Sequence, residues 1–118
     1  MSTENRSGCP IANTLDIVGD RWSLLILRDM FNGKKIFSEF LSSPEKITTS
    51  VLTVRLNQLE AAGLVKKELY QPNPKRYQYL LSESGRDILP VLREMCRWAN
   101  KHMPETWIPP ESFMEMNP

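Results

Sequence analysis

The stretch from Thr48 to Gly63, TTSVLTVRLNQLEAAG, decides the fold. At about 100° per residue, Leu52, Leu56 and Leu59 share one face of a helix. Ser50, Val54, Asn57 and Ala61 share the opposite face, Thr53 and Gln58 flank it, and none of these is acidic. A phosphate backbone can approach such a face without meeting a carboxylate. Thr48 can cap the first turn, and Gly63 can take the left-handed conformation that commonly ends a helix.

The residues after Gly63 suggest the use of this helix. Leu64 to Tyr70, LVKKELY, reads as a strand, Gln71-Pro72-Asn73-Pro74-Lys75-Arg76 as a turn, and Tyr77 to Leu81, YQYLL, as a returning strand. Proline cannot donate to a ladder, so both prolines are expected in the tip, where they leave Lys75 and Arg76 projecting. Helix then hairpin is the winged-helix order. The expected fold is mainly α with a small β-hairpin wing, an α+β winged helix-turn-helix. A basic tip beside a neutral polar helix suits double-stranded DNA.

Residues 1–8 are polar and are expected to form a flexible tail. Pro10 suits a first helical turn, with Ile11, Leu15 and Val18 at i, i+4 and i+7. Asp20 reads as the N-cap of a second helix, in which Trp22, Leu24, Leu25, Ile26, Leu27 and Met30 make a broad apolar surface. Core packing accounts for that surface; the wall of a ligand pocket is the other reading. Asn32-Gly33-Lys34-Lys35 is a stop and turn, Phe37 to Leu41 a short supporting helix, and Ser42 to Ile47 the connection to the main helix. Beyond the hairpin, Ser82 caps a long helix to about His102, with Ile88, Val91, Leu92, Met95, Trp98 and Ala99 on an apolar stripe wider than a thin domain needs. Pro90 should bend or restart it. The folded unit is expected over residues 9–103. The tail over 104–118 carries Trp107 and Phe113 without periodicity, and is expected to lie across a partner subunit or stay loose.

A chain of 118 residues makes one domain with a thin core. Its 41% hydrophobic and 25% charged content is ordinary for a globular protein, which argues against disordered and fibrous classes. No apolar run approaches the ~18 residues of a membrane span, and the start MSTENRSGCP lacks a signal-peptide core, so cytoplasmic residence without a membrane partner is expected. Net charge is only +1, but it is unevenly spread. From Lys34 to Arg76 eight basic side chains stand against four acidic ones, and the remainder carries seven against ten. A basic middle between acidic ends suits a central DNA-reading unit; chance clustering on a lysine-rich surface is the plainer alternative. The single histidine, His102, has no nucleophile or carboxylate at a useful spacing, and two scattered cysteines give neither a disulfide framework nor metal-ligand spacing. No enzyme, metal or cofactor is expected.

Several short blocks together resemble the HxlR-type helix-turn-helix family, a group related to the MarR-like winged helices. They are Cys9-Pro10-Ile11, Gly19-Asp20-Arg21-Trp22-Ser23-Leu24-Leu25-Ile26-Leu27-Arg28, Phe37-Ser38-Glu39, Val51 to Leu56 and Leu59 to Leu64. The resemblance runs from Cys9 to about Ala99. It implies a dimeric bacterial or archaeal transcription regulator, and in several family members the thiol at the position of Cys9 is a sensor.

The candidate site residues group by element. A recognition helix puts its N-terminal residues into the major groove, so Thr48, Thr49, Ser50, Thr53, Val54 and Asn57 are the expected DNA readers, although any solvated helix shows such side chains. Lys75 and Arg76 would meet phosphates or the minor groove, and Ser38, Lys34 and Lys35 are further backbone candidates. Arg55 lies nearer the buried edge of its helix and would either touch phosphate or tie the helix to the hairpin by a salt bridge. Cys9 stands at a helix start, where the positive end of the dipole makes a thiol more reactive, and Arg6 could add to this; the alternative is an unreactive packing cysteine. Cys96 reads as a packing residue, with a bridge to Cys9 of another subunit as the alternative. The expected dimer interface comprises Ile11, Leu15, Val91, Leu92, Met95, Trp98 and Ala99. Two recognition helices would then meet an inverted repeat with half-sites about one helical turn apart, roughly 34–36 Å. Input would come through Cys9 or through a small-molecule effector between subunits. The rival is a winged-helix protein-interaction module that binds no DNA.

Overall fold

The structure, a computed structural model, describes residues 6–118. Its elements are α1 (Pro10–Val18), α2 (Ser23–Phe31), α3 (Phe37–Phe40), α4 (Thr49–Ala61), β1 (Val65–Pro72), β2 (Lys75–Leu81), α5 (Glu83–Arg86), α6 (Leu89–His102) and α7 (Glu111–Glu115). The first five residues of the expected tail lie outside the described residues. Residues 6–8 are held against α1, because Arg6 pairs with Asp16 at 2.8 Å and the Asn13 amide donates to the Ser7 carbonyl at 2.9 Å.

The leucine row of α4 seats it. Leu52, Leu56 and Leu59 are 1% exposed or less and meet Ile26, Leu27 and Met30 of α2, Phe40 of α3, Ile47, and Val65 and Tyr79 of the hairpin. Each such side chain contributes about 1.5–3 kcal/mol on burial, enough to fix a 13-residue helix that would be marginal alone. Phe40 meets the Tyr79 ring edge-on, with centroids 6.4 Å apart. The Tyr79 amide donates to the Lys35 carbonyl at 2.7 Å, which ties the hairpin base to the α2–α3 turn.

The boundaries have local causes. The Val51 amide donates to Thr48 Oγ1 at 3.4 Å, and Gly63 has φ +84°, as cap and stop. Asp20 caps α2 from further out than expected. Its Oδ2 accepts the Trp22 and Ser23 amides at 2.8 and 2.9 Å, so the helix starts at Ser23 and Trp22 stands before it. Ser82 caps only α5, and the expected long helix restarts at Leu89 with Pro90 in its first turn, where a missing amide costs nothing. Gly85 admits no side chain, since a Cβ there would lie 2.1 Å from the Leu64 carbonyl oxygen.

Two expectations are overturned. The C-terminal segment does not hang loose: Phe113 of α7 is buried on Leu89 and Leu92 beside Leu24 and Phe31, and Arg93 donates to the Phe113 carbonyl at 3.1 Å and to that of Met116, while Trp107 and Ile108 ahead of α7 stay exposed. A five-residue helix flanked by prolines and held by one aromatic anchor leaves no periodic trace. In consequence Leu92 is 7% exposed, turned into its own protomer and unavailable to a dimer interface.

Candidate nucleic-acid interface

Thr48, Thr49, Ser50, Thr53, Val54 and Asn57 are all exposed, on the side of α4 opposite its leucines. The Thr53 hydroxyl donates back to the Thr49 carbonyl at 2.9 Å, and Thr48 Oγ1 is occupied by the cap and by the Ser50 hydroxyl at 3.4 Å, so the side-chain groups left fully open are those of Thr49 and Asn57, with Ser50 partly engaged and the Val54 methyls between them. Amide and hydroxyl groups can read base edges, and an apolar group can meet a thymine methyl. Ser38 is exposed on α3.

The wing is longer than the sequence suggested. Pro72 ends β1 opposite Lys75, and only Asn73 and Pro74 form the tip. Proline is tolerated there because both strands of a two-stranded sheet are edges. Lys75 and Arg76 open β2, exposed, paired with Pro72 and Gln71. A bulge between Leu69 and Gln71 leaves Tyr70 without a cross-strand partner, and bulges increase the local twist. On the inner face Lys67 Nζ sits 4.5 Å above the Tyr77 ring, a contact the sequence reading missed although the two residues stand two pairs apart in the register.

Arg55 leaves the exposed face. Its Nε lies 3.3 Å from Asp20 Oδ2 and its Nη1 donates to Gln58 at 2.8 Å, so the salt bridge runs to the α1–α2 junction and not to the hairpin. Lys34 is likewise drawn inward, its Nζ 3.9 Å from Asp29 and 3.5 Å from the Ser43 hydroxyl, whereas Lys35 stays exposed. A network outside the predicted residues supports the lead-in to α4. Arg28 binds both Glu45 oxygens, at 2.9 and 2.7 Å, and Asp29 Oδ1 at 2.9 Å; Asp29, 5% exposed, also takes the Ser43 hydroxyl. An Arg-Asp pair at the end of an otherwise apolar helix was the available signal, since a buried carboxylate needs compensation.

Burial resists ionisation of Asp20, but the Ser23 hydroxyl, two backbone amides and Arg55 outweigh it and hold the carboxyl below its ordinary 3.8. The Arg28 hydrogen bonds hold Glu45 below its ordinary 4.5 despite partial burial. Both groups titrate lower folded than unfolded, so their stabilisation is complete above those ordinary values and is lost as pH falls through the lower, folded ones. The urea midpoint should therefore stay level, as far as these groups are concerned, from neutral pH down to about pH 5, and fall below about pH 4. The loss should be on the order of 1 kcal/mol per pair and absent in Asp20→Asn with Glu45→Gln.

The remaining predicted residues lie elsewhere. Cys9 is exposed at the start of α1, its thiol making no capping hydrogen bond, and Arg6 is engaged with Asp16 and not with it. Cys96 packs against the Leu89, Leu92 and Phe113 cluster. Ile11, Leu15, Val91, Met95 and Trp98 are 42–72% exposed, and Ala99 is half-buried. Trp22, Leu25 and Ile26 border a cleft shared with Phe40 and Ile47, but Ile26, Leu27 and Met30 belong to the core, with Trp22 and Leu24 packed against it, so packing accounts for most of this surface. Among the described residues no helix is long and apolar enough to cross a membrane.

Residues 17–107 match the family described as HxlR-like helix-turn-helix. The uncharacterized HTH-type transcriptional regulator YdeP of Bacillus subtilis is 39% identical over 101 residues, 86% of this chain and 79% of that protein. The crystal structure of PA1607 superposes with a TM-score of 0.78 at 30% identity, covering 90% of this chain and 75% of that one. The redox regulator HypR in its oxidized form superposes with a TM-score of 0.72 at 37% identity, covering 80% and 97%. With a helix followed by a hairpin that carries Lys75 and Arg76 near its tip, and with these relatives in agreement, the chain belongs to the HxlR-like helix-turn-helix family and is a DNA-binding transcription regulator, not an enzyme.

Proposed function

We propose that the protein works in the cytoplasm as a homodimer on an inverted repeat of double-stranded DNA. Thr49, Ser50, Val54 and Asn57 read bases, with Thr48 and Thr53 ordering the helix beneath them, and Lys75, Arg76 and Ser38 hold phosphates. The observation that carries the dimer is the exposure of Ile11 and Leu15 on α1 and of Val91, Met95 and Trp98 on α6, large apolar side chains that a lone protomer leaves in water. Twofold symmetry in the protein suits a symmetric operator. Cys9 supplies the signal input. It is exposed, it neighbours the Ile11 and Leu15 surface in sequence, and the similar HypR is a redox regulator. Oxidation there would bias the spacing of the two recognition helices, and a small ligand bound between subunits would act on the same equilibrium.

Fluorescence anisotropy on a duplex from the gene's own upstream region, at two salt concentrations, reduced and then mildly oxidised, tests both parts. Tight reduced binding that weakens with salt and is lost on oxidation is the expected result. Binding indifferent to oxidant, with Cys9 alkylating no faster than Cys96, removes the thiol switch and leaves the ligand. Absence of salt-dependent binding to this duplex or to a genomic pool would point to the protein-interaction module instead.

A further inference from the structure

We propose that the reading angle of α4 is set by two polar struts anchored at the two ends of α2, Asp20 to Arg55 and Arg28 to Glu45, which makes these four residues positioning residues for operator recognition. The inference rests on the DNA-reading role proposed for α4.

The leucine row alone does not fix the angle. Apolar burial is non-directional, so Leu52, Leu56 and Leu59 set how deeply the helix sits and leave it free to roll or slide by small amounts. Charge-assisted hydrogen bonds are directional and resist both motions. The first strut grips the middle of α4. Arg55 Nε is buried, makes no hydrogen bond of regular geometry, and has the Asp20 carboxylate as its counter-charge at 3.3 Å. Asp20 is itself oriented by three hydrogen bonds, accepting the Trp22 and Ser23 amides and the Ser23 hydroxyl. The second strut grips the lead-in. Glu45, held bidentately by Arg28, stands three residues before Thr48, and Lys46 between them has φ 60°, a left-handed conformation that a lysine adopts only where its surroundings impose it.

One attachment at mid-helix and one just before the N-terminus define both the axis and the roll of α4. Partly exposed ion pairs add little to stability, so the consequence of these two is mainly geometric. The base-reading end of the helix lies next to the second strut, where a small rotation displaces several contacts together.

The test compares Asp20→Asn, Arg55→Met, the double variant and Glu45→Gln with the unmodified protein. Each is titrated by anisotropy on the upstream duplex and on a scrambled duplex of equal length, over a range of salt concentrations, with melting temperatures alongside. Asparagine at position 20 keeps an oxygen for the α2 amides, which protects the fold. Each single change should weaken binding to the upstream duplex about tenfold, the loss expected when one or two base contacts are misplaced. Affinity for the scrambled duplex and the salt slope should stay as they were, because no phosphate contact is lost. The double variant should bind no more weakly than either of its singles.

An unchanged ratio of the two affinities in every variant would overturn the proposal, leaving the pairs as stabilising contacts. A salt slope shallower by about one in Arg55→Met overturns the first strut, since Arg55 would then touch phosphate directly. Tighter binding by Glu45→Gln overturns the second, showing an acid that merely repels DNA. If the unmodified protein does not distinguish the two duplexes, the DNA-reading role of α4 fails, and the struts with it.

Discussion

A chain carrying glutamate at both Leu15 and Met95 should sediment as a 13.7 kDa monomer where the unmodified protein sediments at twice that mass, and it should lose two orders of magnitude or more of affinity for its operator. Leu15 is 53% exposed on α1 and Met95 50% exposed on α6, so neither contributes much to the core of the protomer. Circular dichroism should accordingly report an intact fold. In a dimer both positions would be buried, and an unpaired carboxylate buried at such a face costs several kcal/mol, against the roughly 1.5–3 kcal/mol that each apolar side chain contributes by leaving water. The effect on DNA is larger than the loss of one contact. Two linked recognition units bind with an avidity about 10²–10⁴ above that of one, and separation of the protomers forfeits this factor with α4 and the wing unchanged. The salt slope of the residual binding should fall to about half, as each monomer meets half the phosphates. A double-glutamate chain that stays dimeric would move the interface elsewhere, and an unmodified protein that is monomeric while binding its operator tightly would dispose of the dimer altogether.

The parts of the molecule legible in the sequence are those where one period and one chemical rule coincide. Leu52, Leu56 and Leu59 repeat at helical spacing, Thr48 and Gly63 bound them, and the structure buries all three leucines. Pro90 announced a restart, and the chain restarts there. The missed features depend on residues far apart in sequence or on elements too short to repeat. Asp20 and Arg55 are brought together by the packing of α4 on α2, and no local pattern joins them. The α6 stripe was read as one surface, yet it divides: Leu92 faces Phe113 of the same protomer, while Val91, Met95 and Trp98 face water. The division depends on α7, whose five residues carry no periodicity. The wing was foreshortened for a different reason. Pro72 reads as a breaker because proline is excluded from central strands, but a two-stranded hairpin has no central strand, and Pro72 pairs with Lys75 at its outer end.

That extra length bears on the second large effect. Replacing Lys75 and Arg76 together by alanine should weaken binding at 0.15 M salt about thirtyfold for each protomer that meets the duplex, to the operator and to unrelated duplexes alike, because two phosphate contacts at a slope of about 0.9 each amount to that factor relative to 1 M salt, and about a thousandfold for a dimer that loses four. The geometry favours a sequence-blind role. Both residues open β2 beyond the bulge at Tyr70, exposed at the distal end of the hairpin, while the base of the same hairpin is locked by Tyr79 in the core and by its amide on the Lys35 carbonyl. A stiff arm with two cations at its end can hold the recognition helix in register, and lysine or arginine on a phosphate carries no base information. The slope of log affinity against log salt should become shallower by about two per protomer, and the preference for operator over random duplex should survive. Melting temperature should not change appreciably, since neither side chain is buried or forms an ion pair among the described residues. Equal affinity with an unchanged slope would take the wing out of DNA binding. A loss confined to the operator would show instead that Lys75 or Arg76 reads bases in the minor groove, where A·T and G·C pairs differ in the amino group of guanine.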